Sequence, residues 1–329
     1  MTKISLIGAG AWGLAIANTI AHNKNKVLVY SDNKDVVKEV NKYHTTHRLP
    51  GVKLSSKIIV KDKFPDIIKN AEFLFIATPS QVVKEVLFQV KNSGKISNKT
   101  IFITCSKGIE EENLSLFSDL VKEIFPYNPY AAISGPNFAI EVAKKLPTTT
   151  TIACKDEKIA KKIAKLMASE YFLPTISNDV VSTQIYGIVK NILAIGCGVI
   201  DGLKLGENAK AVLLVKGIEE VNNLVEKLGG KKEEFLSPAG FGDLFLTCSS
   251  RDSRNNNLGF LIGKGSDPKR ILSDQDTVYE GAISVKSVVK LSKKHKIKMP
   301  ISEMIYNILY NQKISEDLTQ IIQNTIIQK

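Results

Sequence analysis

The chain lacks the signatures of a disulfide-rich, zinc-binding or redox protein. Its 329 residues include only four cysteines, and no CxxC or Cys/His ligand spacing occurs among them. We therefore expect no metal site and no disulfide. The cysteines are predicted to be reduced and mostly buried, as in cytosolic proteins. They are Cys105, Cys154, Cys197 and Cys248, far apart in the sequence.

The sequence also lacks any block of like charges, although its net charge is +12, from 45 Lys and Arg against 33 Asp and Glu. A basic balance favours acidic partners such as nucleic acid, an anionic membrane surface or phosphorylated metabolites. Because the lysines are scattered and are not interleaved with aromatic residues, a nucleic-acid groove is not indicated. A solvated lysine-rich surface explains much of the excess positive charge.

No uninterrupted apolar run at the N-terminus is long enough to span a membrane. The stretch MTKISLIGAGAWGLAIANTI is broken by three glycines and by Asn18, and no small-residue cleavage site stands out. It is therefore a poor match to a secretory signal or a spanning helix. We interpret it as the first strand and helix of a cytoplasmic protein, and we predict no stable membrane insertion.

The first half of the chain alternates short β-branched runs with longer stretches of helical period. The predicted strands are Ile4–Ile7, Val27–Tyr30, Phe73–Ala77, Ile101–Thr104, Ala131–Ser134 and Thr149–Ala153, and the predicted helices are Asp35–Tyr43, Gln81–Val90 and Leu114–Phe125. Apolar strands that alternate with helices predict a parallel sheet covered on both faces. We expect a doubly wound, Rossmann-type α/β domain over residues 1–178.

The second half contains no convincing strand, and its apolar residues recur with helical period. Gly229 is placed to end one of the predicted helices, and Pro300 suits the first turn of another. The pattern predicts an all-α domain over residues 179–329, joined to the first domain near Pro174–Asp179. Its predicted helices are Gln184–Gly202, Asn208–Gly229, Ala282–Lys294, Ile301–Tyr310 and Ser315–Gln328.

A glycine pattern, Gly8-x-Gly10-x-x-Gly13, follows the first predicted strand and opens the first predicted helix. In a strand–helix–strand unit this is the dinucleotide fingerprint. Gly8 permits the tight turn, Gly10 lets the backbone approach the pyrophosphate, and Gly13 lets helix and strand pack closely. The helix start then offers free N–H groups to the phosphates. The alternative is a purely structural glycine turn.

An acidic residue, Asp32, follows the second predicted strand. A carboxylate there binds the ribose 2′-OH of NAD, whereas an Arg accommodates the 2′-phosphate of NADP. No Arg is adjacent, so the residues lean towards NAD. The alternative is that Asp32 only caps the helix that begins at Lys34.

Several loops carry polar residues that suit a ligand, each with a plain structural alternative. The turn Ser134–Asn137 enters a helix, and Lys107 follows a strand, at the sheet edge where ligands bind in open α/β folds. Asp243 is either a helix N-cap or the partner of a buried cation. The run Ser253–Asn255 offers a hydroxyl, a guanidinium and an amide, which suit a phosphate unless the loop is merely solvated. Glu280 reads as a capping residue.

A single charge, Lys190, interrupts the apolar run from Ile185 to Ile200. Its ammonium can reach water along its apolar stem. It can instead pair with a buried partner, or have its pKa lowered by burial so that it exchanges protons near neutral pH. The run alone leaves these alternatives open.

Motifs in matching order cover nearly the whole chain: GAGxWG, SKGIE, SGPxFAxE, VKNxxAIGxGxxDG, GxGDLxLTCxSxxSRN and VxEG. They stand at Gly8–Gly13, Ser106–Glu110, Ser134–Glu141, Val189–Gly202, Gly240–Asn255 and Val278–Gly281. In these motifs the chain resembles the bacterial NAD(P)-dependent glycerol-3-phosphate dehydrogenases. The resemblance implies reversible NAD(P)H-dependent reduction of dihydroxyacetone phosphate to sn-glycerol 3-phosphate, which supplies glycerophospholipid synthesis. NAD or NADP is the implied cofactor, and we expect a homodimer.

The resemblance also implies roles for individual residues, with Lys190 as the catalytic, proton-transferring residue. The implied substrate contacts are Lys107, Gly135, Asn137, Lys190, Asp243, Ser253, Arg254 and Asn255. Together with the glycine loop, the expected dinucleotide contacts are Gly8, Gly10, Ala11, Trp12, Gly13, Asp32, Lys107, Ala139, Arg254, Val278 and Glu280.

Three positions depart from the family's common pattern. Ala11 replaces a usual Ser, Asp32 an Arg or His, and Asn137 a Ser or Thr. The departures leave open the cofactor preference and whether Asn137, whose longer amide can still hydrogen-bond substrate, keeps the family's substrate contact. The nearest alternative is a related Rossmann 3-hydroxyacid dehydrogenase, but Asp243 with Ser253–Asn255 fits a phosphomonoester better than a bare carboxylate. Another alternative is a basic nucleic-acid-binding or regulatory protein that keeps the fold without activity.

Overall fold

The structure is a computed structural model that describes residues 2–94, 96–274, 277–311, 324–325 and 327. The chain divides into two compact units: unit 1 comprises Met1–Ser106 and Ser115–Val180, and unit 2 comprises Lys107–Leu114 and Val181–Lys329. The sequence pattern does not anticipate that the short segment from Lys107 belongs to unit 2. The division into functional domains at residues 178 and 179 stays a prediction.

Short strands and an eight-stranded sheet define unit 1. In the described residues the strands of the chain are β1 Ile4–Ile7, β2 Val27–Tyr30, β3 Ile58–Lys61, β4 Phe73–Ile76, β5 Ile101–Thr104, β6 Ile109–Glu110, β7 Ser115–Leu116, β8 Tyr130–Ser134, β9 Thr148–Ala153 and β10 Phe172–Ser177. Of these, β6 lies in the Lys107–Leu114 segment of unit 2. The large sheet has the order β10-β9-β8-β5-β4-β1-β2-β3. Its pairs are parallel except β8 with β9, which run antiparallel. The predicted Rossmann-type, mainly parallel sheet is confirmed.

Helices cover both faces of this sheet. They are α1 Ala11–His22, α2 Lys34–Lys38, α3 Phe64–Ile68, α4 Val83–Asn92, α5 Phe117–Ile124, α6 Ala139–Ala143 and α7 Glu157–Met167. Side chains of β1 alternate between two apolar clusters: Leu6 belongs to the cluster that includes Leu14 of α1, and Ile7 to the cluster that includes Leu87 of α4. The central strands β1, β4 and β5 are buried at every position, as expected of strands covered on both faces.

The two edge strands, β3 and β10, are absent from the sequence prediction. β10 contains Pro174, so the stretch predicted as the domain junction is a strand as far as Ser177. Proline is compatible with a strand at a sheet edge, where its missing N–H costs no ladder bond. The predicted helix Asp35–Tyr43 is also wrong in detail, because α2 ends at Lys38 and a π-helical turn follows over Glu39–Tyr43.

Unit 2 is helical, and no strand occurs among its described residues from 181 onward. Its helices are α8 Val180–Leu203, α9 Glu207–Lys227, α10 Asp243–Ser249, α11 Arg254–Gly263, α12 Pro268–Leu272, α13 Glu280–His295 and α14 Pro300–Tyr310. Gly229 has a φ of +83° just past α9, and Pro300 opens α14, both as predicted. The predicted helix Ser315–Gln328 lies outside the described residues, apart from 324, 325 and 327.

The long apolar helix α8 is the core helix of unit 2. It is the one described helix long and apolar enough to cross a membrane, but 94% of that window is buried inside the protein. Burial of this kind is what a core helix shows. Its glycines, which weaken a helix prediction, permit close crossing: a Cβ at Gly198 would lie 2.0 Å from the backbone oxygen of Asn256 in α11.

A buried carboxylate caps one helix of unit 2. Glu220 of α9 is 5% exposed. It accepts hydrogen bonds from the amides of Ile301 and Ser302, at 2.5 and 3.2 Å, and from the Ser302 hydroxyl at 3.2 Å. Burial raises the pKa of Glu220 to about 7, although the amides of α14 favour the charged form. The folded protein therefore favours the protonated form of Glu220 more than the unfolded chain does.

We expect Glu220→Gln to remove a pH-dependent loss of stability. The folded pKa of about 7 exceeds the unfolded value of about 4.3. The stability that this group contributes is therefore fully present below pH ~4 and is lost as the pH rises through 7. Between those limits the free energy of unfolding of the wild type should fall relative to Glu220→Gln, by on the order of 3 kcal/mol.

The measurement is chemical denaturation of both proteins at a series of pH values. Glu219→Gln, at an exposed neighbouring position, is the control and should keep the wild-type pH dependence. Parallel stability curves for the wild type and Glu220→Gln would contradict the raised pKa.

Candidate active site

The glycine loop of unit 1 has the geometry that its spacing predicts. Gly8 has a φ of +110°, and a Cβ there would lie 2.6 Å from the backbone oxygen of Ala77. A Cβ at Gly13 would lie 2.0 Å from the backbone oxygen of Gly8. At Gly10 nothing lies within 4 Å of an added Cβ. Gly8 and Gly13 are thus required by a tight turn and a close helix–strand contact, whereas Gly10 faces open space.

The start of α1 fits the phosphates of a dinucleotide. Gly10 is the N-cap and offers no side-chain hydrogen bond, and the first turn carries no acidic residue. The first amides of a helix have no partner within it and carry partial positive charge. The side chains of Ala11 and Trp12 in this turn, and of Ala139 at the start of α6, all pack against the same apolar cluster.

A hydroxyl beside this loop is missing from the sequence prediction. Thr78 follows β4, and its backbone nitrogen would lie 3.1 Å from a Cβ at Gly8. The Thr78 Oγ1 is buried and has no hydrogen-bond partner among the described residues. Buried polar atoms are nearly always paired, so the orphaned hydroxyl supports a ligand at this edge of the sheet. No motif in the sequence marks it.

Asp32 is exposed at the end of β2 and does not cap α2. The N-cap of α2 is Asn33, whose Oδ1 accepts from the amides of Asp35 and Val36 at 2.9 and 3.1 Å. The capping alternative for Asp32 is therefore wrong. Its contact with the ribose stays a prediction.

Gly135 and Asn137 lie just beyond β8. A Cβ at Gly135 would lie 2.7 Å from the Cα of Thr150, so only glycine fits. Asn137 Nδ2 donates to Thr148 Oγ1 at 2.9 Å and to the Thr149 carbonyl at 2.8 Å. Its Oδ1 is buried without a partner among the described residues. The amide can therefore accept a hydrogen bond from a ligand, whereas its donor is already used.

In unit 2 the lysine of α8 pairs with a carboxylate at the start of α10. Lys190 Nζ lies 2.5 Å from Asp243 Oδ1, and Lys107 Nζ lies 2.5 Å from Asp243 Oδ2. The side chains of Asp243 and Lys190 are 1% and 9% exposed, and that of Lys107 is 21% exposed. Lys190 therefore does not reach bulk water, so the alternative of a snorkelling lysine is wrong. Asp243 is the partner of two cations, and the N-cap of α10 is Gly242.

Two ammonium groups share one carboxylate, so the cluster carries excess positive charge. Burial lowers the pKa of Lys190 to about 8, Asp243 opposes this shift, and Lys107 adds to it. A lysine with such a pKa exchanges protons near neutral pH. The excess charge also favours an anionic substrate.

Sequence reasoning missed two polar neighbours of this cluster. Thr247 Oγ1 accepts from Lys190 Nζ at 2.8 Å and donates to the Asp243 carbonyl at 2.6 Å. Its position four residues after Asp243 on one helix is a signal that could have indicated it. Asn191 follows Lys190 directly, and its side chain is bonded to Asn255 at 3.1 Å.

The predicted phosphate residues lie at the start of α11 rather than in a solvated loop. Ser253 is the N-cap, and its hydroxyl accepts from the Asn256 amide at 3.3 Å. Asn255 is buried and bonded within unit 2, whereas the Arg254 side chain is exposed. Arg251, by contrast, is held by Asp201 at 3.0 Å. Of the three residues Ser253, Arg254 and Asn255, Arg254 is therefore the exposed one, and it carries a positive charge.

The predicted dinucleotide contacts of unit 2 stand at the start of α13. Glu280 is its first residue and Val278 precedes it, while the N-cap is Tyr279. The interpretation of Glu280 as a capping residue is therefore wrong. Its dinucleotide contact stays a prediction.

Comparison with known proteins identifies the family. The family described as NAD-dependent glycerol-3-phosphate dehydrogenase matches with its N-terminal part over residues 3–160 and its C-terminal part over residues 179–320. The chain belongs to this family. It is 38% identical to glycerol-3-phosphate dehydrogenase [NAD(P)+] of Wolbachia pipientis wMel, over 97% of the chain and 99% of that relative. The corresponding enzyme of Bacillus velezensis is 36% identical, over 95% of the chain and 92% of the relative.

A solved structure of a glycerol-3-phosphate dehydrogenase supports the fold. The crystal structure from Coxiella burnetii matches with a TM-score of 0.93 and 32% identity, and the match covers 99% of both chains. The family is NAD(P)-dependent. These matches do not favour the 3-hydroxyacid dehydrogenase alternative.

Proposed function

We propose that the chain is an sn-glycerol-3-phosphate dehydrogenase that reduces dihydroxyacetone phosphate with NADH or NADPH, and that Lys190 is its proton donor. The observation that carries the proposal is the buried Asp243 carboxylate, whose two oxygens lie 2.5 Å from Lys190 Nζ and 2.5 Å from Lys107 Nζ, in a chain that matches this family along both halves. An ammonium with a pKa lowered to about 8 is suited to proton exchange under physiological conditions.

The reaction needs a hydride on C2 of the substrate and a proton on its carbonyl oxygen. A bound nicotinamide supplies the hydride. The Lys190 ammonium donates the proton and stabilises the negative charge that develops on the oxygen. In the oxidising direction the neutral amine takes the proton back. Asp243 and Thr247 hold the Lys190 Nζ in place and so limit the reorganisation that proton transfer requires.

The phosphate is assigned to the start of α11. The guanidinium of the exposed Arg254 offers paired donors to a phosphate. The backbone amides at the start of a helix, together with the positive end of the helix dipole, also favour an anion there. Lys107 adds a positive charge next to Asp243. In unit 1 the loop Gly8–Gly13 and Asp32 are assigned to the dinucleotide. We further propose a cytoplasmic homodimer whose product supplies glycerophospholipid synthesis.

The decisive experiment follows absorbance at 340 nm with purified protein, dihydroxyacetone phosphate, and NADH or NADPH in separate reactions. Loss of signal that depends on dihydroxyacetone phosphate is expected. The ratio of the rates with NADH and NADPH gives the cofactor preference, which Asp32 is predicted to shift towards NADH. A short 3-oxoacid serves as the competing substrate. Turnover of the 3-oxoacid alone would replace the proposal with the 3-hydroxyacid alternative, and turnover of neither would reject both.

The pH dependence of kcat is expected to reveal Lys190. In the reducing direction the ammonium is the reactive form, so kcat should fall as the pH rises through about 8. In the oxidising direction the neutral amine is required, so kcat should rise over the same range. Lys107→Met should move this pKa upward, because it removes a neighbouring positive charge. The measurement is the pH profile of kcat in both directions.

The exposed substitution Lys290→Met is the matched control and should leave both profiles unchanged. A profile that Lys107→Met does not move would show that another group titrates.

A further inference from the structure

The Asn255 side chain links three helices of unit 2. It is 7% exposed. Its Nδ2 donates to Asn191 Oδ1 of α8 at 3.1 Å, and its Oδ1 accepts from the backbone amide of Gly281 in α13 at 3.0 Å. Both polar atoms therefore bond within the protein, which is not the arrangement expected of a side chain whose main task is to bind substrate.

The contact at Gly281 is a helix cap supplied from another helix. Gly281 is the second residue of α13, so its amide has no partner within that helix. A Cβ there would lie 2.5 Å from the backbone oxygen of Asn191 and 2.9 Å from Asn255 Oδ1. The start of α13 is thus in direct contact with α8, at the residue that follows the proton donor. The side-chain oxygen of Asn255 takes the place of a local N-cap.

We propose that Asn255 is a positioning residue that fixes the start of α13, and with it Glu280, relative to Lys190 on α8. Each partner in this network is adjacent in sequence to a binding group: Asn191 follows Lys190, and Gly281 follows Glu280. Asn255 itself follows Arg254. One amide thereby sets the spacing of the proton donor, the dinucleotide contact and the phosphate contact.

The roles of those three groups rest on the proposed function, but the bonds of Asn255 do not. Binding of NADH alone, without substrate, therefore tests the inference separately from turnover. Because Glu280 is a dinucleotide contact and Lys190 is not, loss of the Gly281 cap should weaken NADH binding. The pKa seen in the pH profile of kcat should stay in place.

The experiment compares substitutions of similar size at Asn255. Asn255→Leu removes both hydrogen bonds, whereas Asn255→Asp keeps an acceptor for the Gly281 amide. Asn257→Leu, at an exposed position of the same helix, is the control. NADH affinity is measured by calorimetry, KM and kcat by absorbance, and folding by circular dichroism and Tm.

Asn255→Leu is expected to weaken NADH binding by about fivefold to tenfold, the effect of losing one helix cap. Asn255→Asp and Asn257→Leu should stay within about twofold of wild type. If Asn255→Leu does not fold, Gly281→Ala replaces it, since its Cβ would displace the same contacts, and the same loss of NADH affinity is expected.

Two results would overturn the inference. A rise in KM for dihydroxyacetone phosphate with unchanged NADH affinity would make Asn255 a direct substrate contact. Equal loss of NADH affinity in Asn255→Leu and Asn255→Asp would show that the Gly281 bond is not responsible. If the wild type turns over no dihydroxyacetone phosphate, the proposed function fails, while the NADH affinities still decide the role of Asn255.

Discussion

Lys190→Ala is expected to lower kcat for reduction of dihydroxyacetone phosphate by about 10³-fold or more, while NADH still binds with nearly wild-type affinity. The loss combines removal of a positioned proton donor, which contributes about 10²–10⁴-fold, with removal of a charge that stabilises the developing alkoxide. NADH affinity should persist because Lys190 is not among the predicted dinucleotide contacts. Steady-state rates at 340 nm and calorimetry with NADH measure the two effects.

Two further substitutions sharpen this test. Lys190→Arg keeps a positive charge, but a guanidinium does not release its proton near neutral pH, so it should be nearly as inactive as alanine. Lys290→Ala, at an exposed position, is the control and should keep full turnover. If Lys190→Ala retained wild-type kcat, the assignment of the proton donor would be refuted. Equal activity of Lys190→Arg would mean that charge, rather than proton transfer, is what matters.

Predictability from sequence differs between the centre of the sheet and its edges. The central strands β1, β4 and β5 are runs of β-branched and aromatic residues buried on both faces, so their composition alone indicates them. β3 alternates buried and half-buried positions, and β10 has exposed positions and a proline. Such strands are defined by pairing with a neighbour, which is a long-range property. The antiparallel direction of β9 has the same origin.

The candidate site shows the same division between local and long-range information. The glycine spacing and the motif around Lys190 are continuous in sequence, so they could be predicted. The pairing of Lys190 with Asp243 remained one of several alternatives, because it joins residues 53 apart. Thr78 carries no distinctive local pattern, and Asn191 stands in the motif around Lys190 without any sign of its partner. Their importance depends on an unpaired buried hydroxyl and on a bond to Asn255, which only the fold reveals.

The predicted phosphate residues show that a motif can predict where a site lies without predicting what each side chain does there. Ser253, Arg254 and Asn255 are contiguous, and as isolated residues all three suit a phosphate. In the fold, the Ser253 hydroxyl caps α11 and the Asn255 amide joins α8 to α13. Whether a side chain is already bonded within the protein depends on the geometry of α11, for Ser253, and on the distant backbone amide of Gly281, for Asn255. The motif therefore locates the helix start, and the fold determines which of the three side chains is bonded within the protein.

Asp243→Asn is expected to reduce both turnover and stability. The neutral amide leaves two ammonium groups without their shared counter-ion, and one of them, Lys190, is only 9% exposed. An uncompensated buried charge costs about 3 kcal/mol or more, and loss of the group that orients the proton donor should lower kcat by about 10²-fold. Chemical denaturation and steady-state rates measure these effects. Asp252→Asn, at an exposed position near α10, is the matched control.

The sign of the pH dependence distinguishes this cause from a general packing defect. Burial already holds the folded pKa of Lys190 at about 8, below its unfolded value of about 10.4, so protonated Lys190 opposes folding, and stability rises with pH above the folded pKa. Without Asp243, which raises this pKa, the folded value should fall further. The difference in the free energy of unfolding between the wild type and Asp243→Asn should therefore shrink as the pH rises from neutral towards 8. A difference that stays constant with pH would show that the Asp243–Lys190 charge pair is not its source.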